Sequence, residues 1–387
     1  MSANGPLEPM PPVPLTFPEH GSRKGNGYAS SDYVNKQSAS SAAVQSRSQS
    51  VISSVGTGTD GFSLARVWEL PEPEPRTYLL GGLIPKGAIT LLYADGGMYK
   101  SFIVLYICIL LLVGQPLTLA GRSLQKCKSV LYLDAELDLE EFTRRAFRLA
   151  RGLGLERPPE GLHYFQLPGP LSHEGVQTKV RQVALSCGAE VSVLDSLTIA
   201  SYGSDPTSAP DVTGVMKFLL QTLTTAICID HISKPPPIAK GINLSQFRPF
   251  GSVFKGNLAR SVIQVIKAEG GGVMLRQTKH NFGALADPLY LAVEFLSDGD
   301  CVKVEPITKA TEGLLSGLED HVPARERTWL ELARYEDGST PDFLASELQI
   351  TVKTVKNHLS DLRKDRRVEP IGDGRWLVCN EGGRGIT

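Results

Sequence analysis

The feature that most constrains this chain is a short apolar segment, a glycine-containing loop and a longer apolar segment in direct succession at residues 88–113, AITLLYADGGMYKSFIVLYICILLLV. Ala88–Tyr93 has the length and composition of a buried strand. Phe102–Val113 has twelve residues, whereas a membrane span needs about 20 and runs of this length are typical of buried helices. The sequence therefore predicts a strand, a tight loop and a core helix, and no membrane-spanning segment.

The loop nearly matches the phosphate-binding pattern G-x-x-x-x-G-K-[ST]. Lys100 and Ser101 supply the side chains for phosphate and Mg²⁺, but Ala94 and Tyr99 stand where the pattern has glycine. Ala94 fits if its φ is negative, whereas a bulky Tyr99 tolerates a positive φ poorly. The alternative is a loop that binds nucleotide weakly or not at all. The predicted nucleotide-binding residues are Ala94, Asp95, Gly96, Gly97, Met98, Tyr99, Lys100, Ser101 and Phe102.

Three further apolar runs end in acidic or histidine residues. Glu136 follows the run Val130–Leu133, Asp195 ends the run in AEVSVLDSLT, and Asp230-His231 end the run in AICIDHISK. Ligands of open α/β sheets bind at the carboxyl ends of the strands, so these side chains are well placed for chemistry.

Helical patterns lie between these runs. EEFTRRAFRLARGL carries Phe142, Ala146, Leu149 and Ala150 on one face, and the segment DVTGVMKFLLQTLTT is apolar on one side. Strands that alternate with helices predict an α/β fold, in which a mostly parallel sheet is covered by helices on both faces.

Six motifs now stand in one order: GGLIPKGAITLLYADGGMYKS, VLYLDAEL, SVLDSLT, IDHISK, FGSVFKGNLARS and LRQTKHNFGA. In order and spacing, residues 62–307 resemble the RecA-like ATPases of the plasmid RepA helicase type. The resemblance implies a ring-forming, DNA-dependent ATPase, related more distantly to RecA recombinase and the DnaB helicases. A tyrosine before the lysine, as at Tyr99, is a variant associated with this family.

The resemblance implies a role for each matching residue at the strand ends. Lys100 and Ser101 match the Walker A pair that binds phosphate and Mg²⁺. Asp195 matches the Walker B carboxylate near Mg²⁺, and Glu136 matches the acid that orients or deprotonates the attacking water. His231 matches the histidine of an H-x-x-K motif, which senses the γ-phosphate or relays to DNA. The implied cofactors are ATP and Mg²⁺.

Two basic residues match groups that act on the nucleotide of a neighbouring subunit. Arg260 matches the arginine finger, and Lys279 matches a basic residue that related rings also place across the interface. Relatives often carry K-x-R or K-x-K there, whereas this chain has Lys279-His280-Asn281. The second basic position is missing, which leaves a two-finger arrangement in doubt. A shared site implies a homo-oligomer, and for this family a hexameric ring.

Each of these residues also has a purely structural interpretation. Asp195 can cap the next helix, Glu136 can be an acid favoured by a helix dipole, and His231 can be a hydrogen-bonded core residue. Arg260 and Lys279 can be surface charges. Phosphoryl transfer, however, needs a phosphate cradle, a metal-binding acid, a water-orienting acid and a positive finger together. Their joint occurrence in this order favours the functional interpretation.

The C-terminal region, from about Glu326, predicts three helices and a hairpin. Thr340 is a plausible N-cap before Pro341, and turn residues Gly372-Asp373-Gly374 separate two short strands. The order resembles a winged helix-turn-helix, which implies DNA binding, with a domain used only for protein contacts as the alternative. The predicted DNA-binding residues of the third helix are Lys353, Lys356, Asn357, Arg363 and Lys364, and Arg366 and Arg367 extend this basic cluster.

Two loops rich in Gly, Pro and Ser follow the second and third catalytic strands, at residues 201–211 and 235–250. Equivalent loops line the central pore of the ring ATPases that this chain resembles. Lys240 and Arg248 are therefore predicted to contact DNA phosphates. The alternative is that both segments are ordinary surface loops.

Composition excludes several classes of protein. Forty basic and forty-one acidic residues give a net charge of −1, so no global field attracts nucleic acid or membrane. Six scattered cysteines without a C-x-x-C pair argue against a zinc site or a disulfide framework, and fit the reducing cytoplasm. Residues 1–61 are rich in Ser and Pro and lack the apolar core of a signal peptide, so they predict a disordered tail.

The predicted organisation is a tail at 1–61, a RecA-like ATPase domain at 62–307, a linker at 308–323, a winged helix at 324–380 and a flexible C-terminus at 381–387. We expect a cytoplasmic, Mg²⁺-dependent ATPase that binds single- or double-stranded DNA, and moves along it or unwinds it during replication of a plasmid, phage or mobile element. The alternatives are a DNA-binding regulator whose assembly ATP switches, and a nucleotide-free scaffold descended from an ATPase.

Overall fold

The computed structural model describes residues 66–201, 209–222, 225–232, 249, 253–296, 299–307, 315, 318 and 323–379. The predicted tail and C-terminus, the pore-loop residues Lys240 and Arg248, and most of the predicted linker lie outside these ranges. The chain divides into two compact units, Met1–Glu74 and Pro75–Thr387. In the first unit, the described residues contain a 3₁₀ turn at Val67–Glu69, where Trp68 is exposed.

One large sheet dominates the described part of the second unit. Its nine strands are β3 (Ile89–Ala94), β6 (Val130–Asp134), β7 (Leu162–Gln166), β8 (Val191–Asp195), β9 (Ala226–His231), β10 (Ser261–Lys267), β11 (Gly272–His280), β12 (Leu289–Phe295) and β13 (Val302–Pro306). They lie in the order β13-β12-β11-β10-β3-β9-β8-β6-β7. Neighbouring strands are parallel from β10 to β7 and antiparallel from β10 to β13.

Short strands pair outside this sheet. They are β1 (Tyr78–Leu80), β2 (Ile84–Pro85), β4 (Thr118–Leu119) and β5 (Arg122–Ser123), with β14 (Val368–Gly372) and β15 (Arg375–Val378) near the C-terminus. The helices are α1 (Lys100–Val113), α2 (Leu139–Gly152), α3 (Glu174–Ser186), α4 (Leu197–Ala200), α5 (Ala209–Thr222), α6 (Phe254–Leu258), α7 (Ala324–Leu332), α8 (Pro341–Leu348) and α9 (Val352–Lys364).

The two faces of the sheet bury separate cores, because side chains alternate along each strand. On β9, Ile227 and Ile229 join the core beneath α1 and α2, whereas Cys228 joins the core beneath α3, α4 and α5. The apolar run predicted as a core helix is α1, buried from Ile103 through Leu112. The predicted mostly parallel sheet with helices on both faces is confirmed, and the fold is of the RecA-like α/β class.

Helix α2 illustrates how the sequence sets these boundaries. Asp138 caps its N-terminus by accepting a hydrogen bond from the Glu141 backbone N–H at 2.8 Å. Its buried residues are Phe142, Ala146, Leu149 and Ala150, the face that the sequence predicts. No helix in the described ranges has the length and hydropathy to cross a bilayer.

The C-terminal helices α7, α8 and α9 and the β14–β15 hairpin surround a third core. Thr340 caps α8 with Pro341 at the first helical position, and Thr351 caps α9. Helix α9 buries Val355, Leu359 and Leu362. This core continues into the sheet through side chains of β10, β11 and β12, so the C-terminal elements and these strands belong to one compact unit.

Polar contacts fix the seam between the C-terminal elements and the sheet. Tyr290 on β12 stacks on Trp329 with ring centroids 5.3 Å apart. Its hydroxyl donates to the buried Glu326 at 2.9 Å, and Arg367 donates to both oxygens of Glu326 at 2.7 and 2.8 Å. Arg367, part of the predicted basic cluster, therefore stabilises the seam. A bidentate pair of this kind holds its partners in a defined orientation.

Candidate functional site

The loop before α1 has the strand-loop-helix geometry of a phosphate-binding site. Ala94 is the last residue of β3, in extended conformation. Gly97 has a φ of 73° and Tyr99 has a φ of 59°, and the helix begins at the next residue, Lys100. Backbone N–H groups at the first turn of a helix lack intrahelical partners and attract anions. Ala94 thus has the ordinary strand conformation that its side chain requires, and Tyr99, the position of concern in the sequence, does adopt the left-handed conformation.

Tyr99 is held in this conformation by contacts of its ring. The left-handed conformation costs a non-glycine residue about 1–2 kcal/mol. The ring packs against Phe295 with centroids 5.5 Å apart, and the ammonium of Lys267 lies 4.4 Å from the ring centroid and 3.0 Å from the hydroxyl. An aromatic pair contributes about 0.5–1.5 kcal/mol and a cation–π contact about 0.5–1 kcal/mol. These contacts are large enough to offset the backbone cost.

Lys100 lies beneath the loop with only 6 % of its surface exposed. Its ammonium donates to the backbone carbonyls of Ala94 at 3.1 Å and Asp95 at 2.8 Å. An ammonium has three donors, so these contacts leave one for a phosphate oxygen. Burial lowers the pKa of Lys100, while the nearby carboxylates of Asp195 and Glu136 oppose this shift. The geometry favours a cation that is aimed at an anion in the loop.

Asp195 ends β8 beside α1 and is almost fully buried. The Tyr132 hydroxyl donates to its carboxylate at 2.7 Å, and Ser101 also forms a hydrogen bond with it. Burial raises the pKa of Asp195, and the two hydrogen bonds oppose this shift. A hydroxyl and a carboxylate side by side are the oxygen donors that Mg²⁺ prefers. The residues present therefore fit a Mg²⁺ ion bound between the loop and β8.

Glu136 and His231 meet in front of the strand ends. The Nε2 atom of His231 lies 3.3 Å from a carboxylate oxygen of Glu136. This hydrogen bond lowers the pKa of Glu136, so the group, already a carboxylate at neutral pH, keeps its charge to lower pH. Both side chains are partly exposed, at 35 % for Glu136 and 40 % for His231. They are accessible to water and to a substrate in the loop.

The sequence interpretation missed Asp134, the last residue of β6. Its carboxylate accepts hydrogen bonds from the backbone N–H groups of Glu136 at 2.8 Å and Leu137 at 2.9 Å. The carboxylate is fully buried, and burial raises its pKa to about 6. Asp134 thus fixes the turn that carries Glu136. The signal was an acid at a strand end, two residues before the predicted catalytic acid.

Arg260 and Lys279 lie at the opposite end of the sheet from Lys100. The Arg260 backbone N–H donates to the carbonyl of Ile89, the first residue of β3, at 2.9 Å, whereas Ala94 ends that strand at the loop. Five residues at about 3.3 Å each separate these ends by roughly 16 Å. The structure therefore does not bring the two predicted basic residues to the loop of their own chain.

The two basic residues also differ from each other. The Lys279 ammonium donates to the carbonyls of Gly256 at 2.7 Å, Asn257 at 3.0 Å and Ala259 at 2.9 Å, which uses all three of its donors. Arg260 is exposed, and no described residue forms a hydrogen bond with its guanidinium group. Of the two, Arg260 is the cation available to another molecule.

The predicted DNA-binding residues form an exposed strip along α9. Lys353, Lys356 and Asn357 are exposed in its first half, and Arg363 and Lys364 at its end. Lys364 pairs with Asp361 at 2.8 Å.

A family comparison agrees with this geometry. Residues 63–236 match the AAA_25 family, described as an AAA domain. The matched range contains the loop, Glu136, Asp195 and His231, and it covers less than half of the chain. Together with the fold, the match supports a RecA-like P-loop ATPase domain in this part of the protein. A search of the curated proteins gave no match.

Two solved structures are similar at a low level. One is the ATPase domain of another protein, with a TM-score of 0.42 and 14 % identity, over 56 % of this chain and 84 % of that one. The other is the flagellar accessory protein FlaH from Methanocaldococcus jannaschii, with a TM-score of 0.36 and 15 % identity, over 58 % of this chain and 89 % of that one. These scores carry no further conclusion about function.

Proposed function

We propose that this protein is a Mg²⁺-dependent ATPase that hydrolyses ATP between its subunits. In this proposal it uses the energy to move along or unwind DNA in the replication of a plasmid, phage or mobile element. One observation carries the proposal. Lys100 and Ser101 at the start of α1 share one edge of the sheet with Asp195 and with the Glu136–His231 pair. These are the parts that phosphoryl transfer requires within one subunit.

Each residue of the site has its own chemical role in this proposal. Lys100 neutralises charge on the β- and γ-phosphates, and the loop N–H groups orient them. Ser101 and Asp195 would hold Mg²⁺, which supplies positive charge at the phosphates when it is bound. Glu136, a carboxylate at neutral pH whose pKa the His231 hydrogen bond lowers further, orients the attacking water and accepts its proton. His231 sits at the same carboxylate, where it can respond to a γ-phosphate.

The position of Arg260 supports a catalytic site that is shared between subunits. Arg260 lies too far from the loop of its own chain, so it can act only on the nucleotide of a neighbouring copy. Such a contact between subunits is head-to-tail, which gives a closed ring when the rotation between subunits closes and an open filament when it does not. We propose a homo-oligomer, with a hexameric ring as the expected form.

The C-terminal elements supply a second nucleic-acid contact in this proposal. Three helices followed by a hairpin have the order of a winged helix-turn-helix, with α9 as the recognition helix. Its exposed residues Lys353, Lys356 and Asn357 suit contacts to phosphates and base edges. The pore residues Lys240 and Arg248 remain predictions. The proposed location is the cytoplasm, where DNA, ATP and reduced cysteines occur together.

This strip can be tested by DNA binding. The double variant K353A/K356A is expected to bind double-stranded DNA roughly tenfold more weakly at moderate salt, since two phosphate contacts are lost. The slope of log affinity against log salt should decrease by about 2. Fluorescence anisotropy over a salt series measures both quantities, with K179A on the exposed face of α3 as the control. An unchanged slope would show that α9 does not contact phosphates.

Two other functions remain open. The protein can be a DNA-binding regulator in which ATP changes assembly without unwinding, or a scaffold whose altered loop does not hydrolyse ATP. ATP turnover with and without single-stranded DNA separates them, with K100A beside the wild type. DNA-stimulated turnover that K100A reduces to background supports the motor. ATP-dependent assembly with negligible turnover favours the regulator, and no ATP binding in either protein favours the scaffold.

A further inference from the structure

A completely buried lysine lies in the segment that ends at Arg260. Lys255 on α6 forms an ion pair with Asp230 at 2.8 Å, and both side chains are 0 % exposed. Its ammonium also donates to the Thr198 hydroxyl at 2.8 Å, and that hydroxyl donates to Asp230. Lysine is almost never fully buried unless it is paired. The arrangement costs desolvation energy, and it holds a defined part of the chain in place.

Lys255 fixes a very short helix. Helix α6 has only five residues, and Arg260 follows it after Ala259. A helix this short has little stability of its own, because forming its first turn is unfavourable. Lys255 anchors the first turn from the inside, and the Lys279 ammonium binds the carbonyls at the other end. The two lysines therefore hold the segment that leads into Arg260, whose own backbone is bonded to Ile89 and Asn281 just before β10 begins.

The anchor of Lys255 belongs to the strand ends that carry the catalytic residues. Asp230 directly precedes His231 on β9, and Thr198 lies in α4, which begins two residues after Asp195. Side chains alternate along β9, so Asp230 points to the face opposite His231. The Lys255 contacts thus connect the segment that presents Arg260 to the backbone that holds Asp195 and His231.

We propose that Lys255 is a positioning residue that holds Arg260 in the orientation needed by the nucleotide of the neighbouring subunit. This inference rests on the proposed function, because it requires hydrolysis at a shared site. Lys255 does not touch the nucleotide of either subunit. It acts through the backbone of α6, and its loss should lower the rate of hydrolysis without weakening nucleotide binding.

The test variant removes both charges of the buried pair. K255M/D230N avoids leaving one charge unpaired, which would destabilise the fold. T198V serves as a milder second variant, since it removes the hydroxyl contact and keeps the ion pair. Turnover and KM for ATP, binding of a fluorescent ATP analogue and thermal unfolding are measured for each. We expect kcat to fall at least tenfold in K255M/D230N and about threefold in T198V, with analogue affinity unchanged within about twofold. Unchanged kcat in both folded variants would overturn the inference.

Mixing of subunits distinguishes positioning of the finger from damage to the variant's own site. K100A has a defective loop and an intact finger, whereas R260A has the reverse. K255M/D230N mixed with K100A should regain turnover, because K100A subunits supply intact fingers to intact loops. The mixture with R260A should stay inactive, since both partners lack a working finger.

The opposite pattern, recovery with R260A and none with K100A, would overturn the inference by placing the defect in the loop of the same subunit. Absence of recovery in both mixtures would also overturn it. The proposed function fails separately and earlier, if the wild-type protein itself shows no ATP turnover.

Discussion

The two ends of the central sheet are built on different principles. At the carboxyl ends of the parallel strands, side chains contact each other, as Tyr132 contacts Asp195 and His231 contacts Glu136. At the opposite end, Arg260 is exposed, and its hydrogen bonds to other described residues are made by its backbone, with Ile89 and Asn281. The first end is organised within one chain, whereas the second presents a cation outward. In the proposed function, one chain would hold two complementary halves of a site that is completed by a neighbouring copy.

Replacing Arg260 should produce the largest effect that is confined to catalysis and leaves nucleotide binding unchanged. R260A is expected to lower kcat by about 10³-fold or more, the size of an arginine-finger contribution. Nucleotide affinity should remain close to wild type, because Arg260 lies far from the loop of its own chain. Steady-state kinetics and binding of a fluorescent ATP analogue separate the two quantities. If dilute, monomeric R260A bound the ATP analogue much more weakly than dilute wild type, Arg260 would act on the loop of its own chain, which would contradict the contrast between the two ends of the sheet.

Replacing Tyr99 tests how far the loop end depends on its own side-chain contacts. Y99A keeps the cost of a positive φ and loses the ring, whereas Y99G loses the ring but relieves the backbone. We expect Y99A to be less stable than Y99G by roughly 1 kcal/mol, and to bind ATP several-fold more weakly. Thermal unfolding and analogue binding measure these differences. Equal stability of the two variants would mean that a positive φ at position 99 costs a non-glycine residue nothing, so that the contacts of the Tyr99 ring with Phe295 and Lys267 have no backbone cost to offset.

The buried carboxyl group of Asp134 should have a smaller effect, on the stability of the fold, and this effect should depend on pH. Burial raises its pKa to about 6, so the folded protein holds this proton at higher pH than the unfolded chain does. The contribution of this group to stability is therefore fully present below its unfolded pKa of about 3.9, and decreases as pH rises through about 6.

D134N should remove this decrease. We expect its melting temperature to gain about 3 °C on wild type between pH 4.5 and pH 7.5, without nucleotide or Mg²⁺. A scan of melting temperature against pH measures the difference, and R260A serves as a control from the other end of the sheet. If the curves of melting temperature against pH were parallel for wild type and D134N, the loss of stability between pH 4.5 and pH 7.5 would not come from Asp134.

The sequence predicted the features that depend on local pattern. The β3–loop–α1 unit, the positions of Asp195 and Glu136 at strand ends, and the apolar face of α2 follow from periodicity and from chemistry at short range. The mostly parallel sheet follows from the alternation of these elements. The structure confirms that class of fold.

Other features depend on contacts between residues distant in sequence. The support of Tyr99 comes from Lys267 and Phe295, and the buried pair joins Lys255 to Asp230. The hydrophobic periodicity of a sequence does not indicate which strands are neighbours in the sheet, so pairs of this kind cannot be predicted from one sequence. The same holds for Lys279, a predicted finger whose donors all bind carbonyls of the α6 segment.

The most direct test of the shared site is to mix two inactive variants, K100A and R260A. Each alone should show turnover near background. If the site lies between subunits, the intact loop of an R260A subunit and the intact Arg260 of a neighbouring K100A subunit together form a complete site. With random head-to-tail contacts, about one site in four in an equal mixture has this composition, so the mixture should reach roughly a quarter of wild-type turnover. Turnover in the mixture that stays at the sum of the two variants, although they co-assemble, would contradict the account and place the whole site within one chain.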